Sequence, residues 1–386
     1  MQLKVRALVF LIAGLLVLTI IACNKDSETT IVNTGFEVEE FEADKLNAYP
    51  IIGYMQSGSV TYPVLDGDAR DEIWTLTEPY QVQTTADANG FAPTVTLKAL
   101  YDNYYLFLLA TWEDTTESFR KDMWWLGKPD NGDTTYADRK DYTWHQISSP
   151  FKAYLGTVDK VLIDTTVVPP DTQYVYAYEQ IEISGDEDAL AIMWNVNSNN
   201  FLNCANLCHG GSSMSTDTDE MADVWFWSAA RTNPKKYADD RSLQDTGFAN
   251  DQGDPCFKPN ENEGEPAFAN VLDPGSNRSF LYDSTATKYY STLEWRGGNR
   301  IAGYILSWPS GSRADIRAVG KYKEGSWTVE IRRRLDTMVE DGTDIIFNPD
   351  TEANIAFHLA IYDNAHGDNH AISSDTHLLH FLQLKK

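Results

Sequence analysis

The sequence predicts an all-β fold, an antiparallel β-sandwich with long loops and one or two short helices. Two observations predict it. Short runs alternating apolar and polar residues recur from about Tyr49 to the C-terminus. Between them lie segments rich in Gly, Asp, Asn and Pro, notably 127–143, 197–220 and 233–285. Loops of that length in a compact domain are usually binding elements rather than spacers. No internal repeat appears.

Lys4 and Arg6 give a positive start, and residues 7–22 are apolar apart from Thr19. That run suits a signal-peptide core and is shorter than the roughly 20 residues of a comfortable membrane span. It ends Ile20-Ile21-Ala22-Cys23, which resembles the cleavage site of bacterial lipoproteins. The resemblance implies a signal peptide over 1–22, cleavage before Cys23 and lipid on that residue. Asn24 after the Cys favours the outer membrane by the same analogy. An ordinary signal peptide or an uncleaved anchor is the plainer reading. Residues 23–48, with Glu37, Glu39, Glu40, Glu42 and Asp44, read as an acidic flexible tether. The domain proper is then 49–386.

Within it, residues 95–101 alternate, 104–112 are nearly all apolar, and Asp102-Asn103 suits a two-residue hairpin turn between them. Further strands are expected at 173–183, 189–196, 303–308, 315–321, 326–333 and 354–362. In the penultimate run Trp327, Val329 and Ile331 alternate with Thr328, Glu330 and Arg332; in the last, His358 points away from the face of Ile355, Phe357, Leu359 and Ile361. One helix is expected around 221–229. Met221, Val224, Trp225, Ser228 and Ala229 fall on one helical face, Asp219 suits its cap, and Asn233-Pro234 stops it.

A formal net charge of −26 argues against nucleic acid and anionic bilayers as partners. It favours basic partners, among them many small electron-transfer proteins. The 11 Trp, 20 Tyr and 16 Phe are ample for a core. Four cysteines, Cys23, Cys204, Cys208 and Cys256, make no disulfide framework.

The sharpest chemical signal is Cys204-Ala-Asn-Leu-Cys208-His209. In c-type cytochromes two thiols bond the haem vinyl groups and the following His ligates the iron. The usual spacing has two residues between the thiols; here there are three, a less common variant. A Cys204–Cys208 disulfide and a zinc site are the alternatives, and zinc lacks a second Cys/His pair. Trp194, Phe201, Trp225 and Trp227 could wall a haem pocket, though such residues are more often plain core. Asp217, Asp219, Glu220 and Asp223, and the acids around 239–254, could hold Ca²⁺; a helix cap and solvated loop charge explain them more simply, and no EF-hand spacing is present. No nucleophile elbow, phosphate loop or dinucleotide fingerprint occurs.

At these residues the chain resembles the haem-binding domain of the ethylbenzene dehydrogenase type, also the haem subunit of some relatives of dimethyl-sulfoxide reductase. The specific block runs from Ala189-Leu-Ala-Ile-Met-Trp194 through Cys204, Cys208-His209-Gly-Gly and Met214. It continues with Ala222-Asp223-Val-Trp225-Phe-Trp227-Ser-Ala-Ala-Arg231-Thr-Asn-Pro234 and Tyr237-Ala-Asp239-Asp240. Leu65-Asp66-Gly67 with Trp74 resembles the opening of the sandwich. Residues 327–335 and 356–363 look like its last strands. The resemblance covers most of residues 60–385.

It implies a β-sandwich holding one haem and passing electrons. In the dehydrogenase subunits the haem is non-covalent, with Met and Lys as axial ligands. This chain departs in having the Cys pair with His209, and in placing His370-Ala-Ile-Ser373 where those subunits carry the Lys. His370 is therefore the candidate second ligand, with His366 and Met214 as alternatives. Met214 lies five steps from His209, so their Cα atoms are at most roughly 17 Å apart, barely enough to wrap a haem edge. Five of the seven histidines (His358, His366, His370, His377, His380) fall in 358–380. A polar loop and strand face, or a surface transition-metal site, would also account for them.

The expectation is an exported, membrane-anchored lipoprotein on the periplasmic or cell-surface side. It would carry covalent c-type haem, with non-covalent haem b as the alternative, and exchange electrons with another cytochrome or a molybdenum enzyme. No substrate site is legible, so it reads as an electron carrier more than an enzyme. The other function class is a surface carbohydrate- or ligand-binding module.

Overall fold

Strands dominate because the sequence keeps supplying β-branched and aromatic residues in short runs. The computed structural model describes residues 38–39, 41–51, 62–127, 143–146, 151–164, 171–183, 185–197, 208–210, 213–216, 219–269, 280–282, 287–288, 299–339, 342–351, 354–365 and 369–385. Cys23, Phe201, Cys204, Asp217 and His366 lie outside them.

Thirteen strands form the main sheet. Numbered in chain order they are β1 (Leu46–Pro50), β2 (Tyr80–Thr85), β3 (Thr94–Tyr101), β4 (Tyr105–Glu113), β5 (Glu187–Asn195), β6 (Ala222–Ser228) and β7 (Asp239–Gln244). There follow β8 (Gly247–Asn250), β9 (Arg317–Lys323), β10 (Ser326–Arg334), β11 (Ile355–Ala365), β12 (Ala371–Ser373) and β13 (His377–Phe381). The hydrogen-bonded order is β8-β7-β6-β5-β11-β12-β2-β3-β4-β10-β9. β1 adds parallel pairings to β3 and β13, and β13 pairs antiparallel with β11. The path therefore folds back on itself into two facing halves.

Three tryptophans show the facing. Trp112 on β4 and Trp327 on β10 are cross-strand partners in one half. Trp227 on β6, in the other half, meets both, at ring-centroid separations of 6.2 and 5.1 Å. Nearby, Trp194 packs on Trp225, Phe347 and Phe357 at 5.1–5.2 Å. All these tryptophans are buried in one continuous core. The candidate haem-wall residues Trp194, Trp225 and Trp227 are thus core side chains.

The all-β sandwich holds, and most expected strands appear near their expected bounds. The hairpin turn differs by one residue. Tyr101 pairs with Leu106, and Asp102 bonds back to Tyr105, so the tip is Asn103-Tyr104. Asp102 Oδ1 accepts from the backbone N–H of both Tyr104 and Tyr105. The helix expected at 221–229 is strand β6. It lies between β5 and β7, buried on both faces, so its apolar residues needed no alternation. The segment 233–285 also carries β7, β8 and short strands at Phe257–Pro259, Phe268–Ala269 and Phe280–Tyr282. Helix among the described residues is limited to short 3₁₀ turns at Glu72–Leu76, Asn233–Lys235 and Ser312–Ala314.

Val38–Lys386 form one compact unit. Val38 bridges Leu384 and β1 is fully buried, so the folded unit starts ahead of residue 49. Among the described residues Phe151–Asp164 and Asp171–Ile183 pair only with each other, as a long hairpin. Among the described residues no helix is long and apolar enough to cross a membrane.

Candidate functional site

The cysteine–histidine motif ends on a short hairpin. Cys208–Gly210 pairs antiparallel with Ser213–Ser215, and His209 is the register partner of Met214. Thr216, the next residue, donates its N–H to the Gln244 carbonyl at the β7–β8 turn. The hairpin therefore sits at the edge of the sheet, against β7 and β8. Phe248 on edge strand β8 is 53% exposed there.

Register fixes the spacing of the two backbones. Partners in an antiparallel pair have Cα atoms roughly 4.5–5.5 Å apart. The backbones of His209 and Met214 therefore run side by side across the hairpin.

His370 lies elsewhere. Its ring rests on Tyr362, with centroids 4.9 Å apart, just before β12. Tyr362 is level with Ala189 on β5, whereas the hairpin leaves the sheet near Asn195, which is level with Ala222. Those ranks are six residues apart, about 20 Å along a strand. The loop holding His366 follows Ala365, paired with Glu187 at the same end as Tyr362.

The other histidines of the cluster serve packing. His358 is buried, with Nδ1 3.3 Å from Ser373 Oγ and Nε2 3.1 Å from Thr376 Oγ1. Burial, with His377 adding to it, pushes its pKa down to about 4, so the ring is neutral at pH 7. His377 Nδ1 lies 2.8 Å from Tyr80 Oη, and His380 Nδ1 3.1 Å from Asn354 Oδ1.

Two acid clusters lie largely buried in the fold, and Asp223 and Asp240, expected as solvated loop charge, belong to the first. Asp223, Asp240 and Asp344 surround the guanidinium of Arg333, which is fully buried. Its nearest contacts to them are 3.1, 3.8 and 3.3 Å. Desolvation raises the Asp240 carboxyl well above its ordinary range, and the charge of Asp223 adds to the rise. The second cluster is Asp114, Asp188 and Asp363, from the end of β4, the start of β5 and a bulge in β11. Burial lifts Asp188 to about 8, the charge of Asp114 adding to it, and lifts Asp114 itself to about 6.

A family model described as ethylbenzene dehydrogenase matches residues 71–374. The chain belongs to the ethylbenzene dehydrogenase family. The match spans β2 through β12 and includes Cys204, Cys208, His209, Met214, His366 and His370. No curated protein matches the chain. Two solved structures of a family 9 carbohydrate-binding module from Caldicellulosiruptor kristjanssonii are similar to it. One is in complex with glucose and the other with cellotriose. Each is 10% identical, with a TM-score of 0.31 over 87% of this chain and 95% or 93% of its own.

Several residues that carry the family resemblance have structural work in this fold. Glu330 on β10 accepts from the N–H groups of Asp66 and Gly67, each at 2.9 Å, and from Trp74 Nε1 at 3.0 Å. That ties the Leu65-Asp66-Gly67 opening to the sheet. Asp239 takes a bidentate ion pair from Arg313, and Arg231 pairs with Glu187. Only long-range pairing identifies such partners.

Proposed function

We propose that this member of the family is an exported haem-binding lipoprotein that carries electrons. The observation that carries the reading is Cys204-x-x-x-Cys208-His209 inside the family match. Two thiols followed by an imidazole are the donor set that covalent haem requires. The motif ends on an edge hairpin beside the exposed apolar side chain of Phe248. Cys204 and Cys208 would hold the porphyrin and His209 would ligate the iron. The haem would supply the one-electron chemistry. The protein's part is attachment, exclusion of water and the setting of the potential through ligand and burial.

Export through a signal ending at Cys23 agrees with this reading, because periplasmic maturation brings cysteine pairs and haem together. An outer-membrane lipid anchor at Cys23 would hold the domain near redox partners, another cytochrome or a molybdenum enzyme. That partnership rests on family likeness.

The test is spectroscopic. Protein matured with a covalent haem-attachment system should show a Soret band that survives acid–acetone extraction. Cys204→Ser with Cys208→Ser should make the haem extractable, and His209→Ala should abolish the low-spin spectrum. No Soret band with haem supplied would reject the proposal. His370→Ala addresses the second ligand: an altered low-spin spectrum would assign it to the C-terminal loop, and an unchanged one would remove His370 from the site.

A further inference from the structure

We propose that Asp114, Asp188 and Asp363 bind a divalent, oxygen-preferring cation, Ca²⁺, that links the two halves of the sandwich. One oxygen from each carboxylate lies within 4.8 Å of the other two. Ligands of a common Ca²⁺ sit 2.3–2.6 Å from the ion, so pairs of them are at most roughly 5 Å apart. The three oxygens fall inside that limit.

The open valences support a ligand. Asp114 is 2% exposed; the Trp112 indole lies near its carboxyl, but Oδ2 and Trp112 Nε1 make no hydrogen bond of normal geometry. Asp114 Oδ1 accepts from the N–H of Thr116 at 2.9 Å, which fixes the carboxylate. Asp188 is fully buried. It accepts from Asn364 N–H through Oδ1, and from Ser118 N–H and Trp327 Nε1 through Oδ2. A carboxylate has about four acceptor positions, so one is left on Oδ1. Asp363 is half-buried, and its Oδ1 is 3.4 Å from Thr116 Oγ1. Among the described residues no lysine, arginine or histidine forms an ion pair with any of the three. Three converging carboxylates without a counter-charge are costly to bury. The Asp223–Asp240–Asp344 cluster differs, since Arg333 already supplies its positive charge.

Donor chemistry selects the ion. Oxygen donors alone suit hard cations. Mg²⁺ demands near-octahedral geometry and keeps its waters, whereas Ca²⁺ accepts irregular cages. The carboxylates come from the residue that follows β4 in one half and from β5 and β11 in the other. Occupancy would therefore stabilise the sandwich itself.

The test uses the full chain stripped with a chelator. Ca²⁺ is added to about 10 mM, beyond the roughly 10⁻³ M Kd of weak extracellular sites, while binding heat and Tm are followed. Saturable binding with a rising Tm is expected, with a smaller rise for Mg²⁺. Asp363→Asn, the least buried position, should weaken binding about 10-fold or more. Because Asp114→Asn alters a buried residue of the fold, Tb³⁺ is used on the unaltered protein. Its emission, excited through Trp327 beside Asp188, should fall as Ca²⁺ displaces it. No binding heat with a constant Tm would overturn the proposal. So would binding untouched by Asp363→Asn, or Tb³⁺ emission that Ca²⁺ does not displace.

Discussion

Arg333 enters the core in phase with Trp327, Val329 and Ile331 on β10, an arginine where the pattern calls for an apolar residue. Its charge is met by Asp223, Asp240 and Asp344, and its Nη1 donates to the Ile345 carbonyl at 2.8 Å. Removing one side of a buried charge cluster leaves the other unpaired. Arg333→Ala is therefore expected to lower stability by about 3–5 kcal/mol, seen as a lower urea midpoint with an unchanged slope. His358 gives a pH dependence. Its folded pKa of about 4 lies below the ordinary 6.5, through burial and His377, against the opposing effect of Asp375. The unfolded chain thus takes up the proton first, and stability falls as pH drops from 6.5 towards 4, by up to about 3 kcal/mol. His358→Asn should flatten that part of the curve relative to the parent protein; parallel curves would show that the ring is not what titrates.

At the level of elements, alternation decided what could be read. The β3–β4 hairpin was legible because one of its strands alternates and the other is a short, continuous apolar run between turn residues. Strand β6 was misread as helix because a strand buried on both faces has no alternation to show, and its apolar spacing also fits a helical face. The tie from Glu330 to Asp66 and Trp74 spans more than 250 residues, and no local pattern announces it. Close packing gives a further prediction. A Cβ on Gly320 would run into the Trp227 indole, while Asn233 holds the Gly320 backbone on both its N–H and its carbonyl. Gly320→Ala is expected to cost about 1–3 kcal/mol through overpacking. Unchanged thermal unfolding would show that β9 can shift away from β6.

On the scale of the whole molecule, the sandwich follows from sequence because strand patterning repeats throughout the chain. The proposed haem motif can be read as a pattern because Cys204, Cys208 and His209 are neighbours in sequence. What faces them cannot be read that way. Ladder register sets His209 beside Met214 and carries His370 to another end of the sheet, and register is a property of the fold. The acid cluster was unreadable for the same reason, as its members come from three distant strands. A lipid-anchored protein with covalent haem has one decisive signature, the intact mass of the protein purified from membranes after export. A chain beginning at Cys23 that carries acyl groups and one haem is expected. A mass equal to that of the unmodified polypeptide, from cells making haem proteins normally, would contradict it.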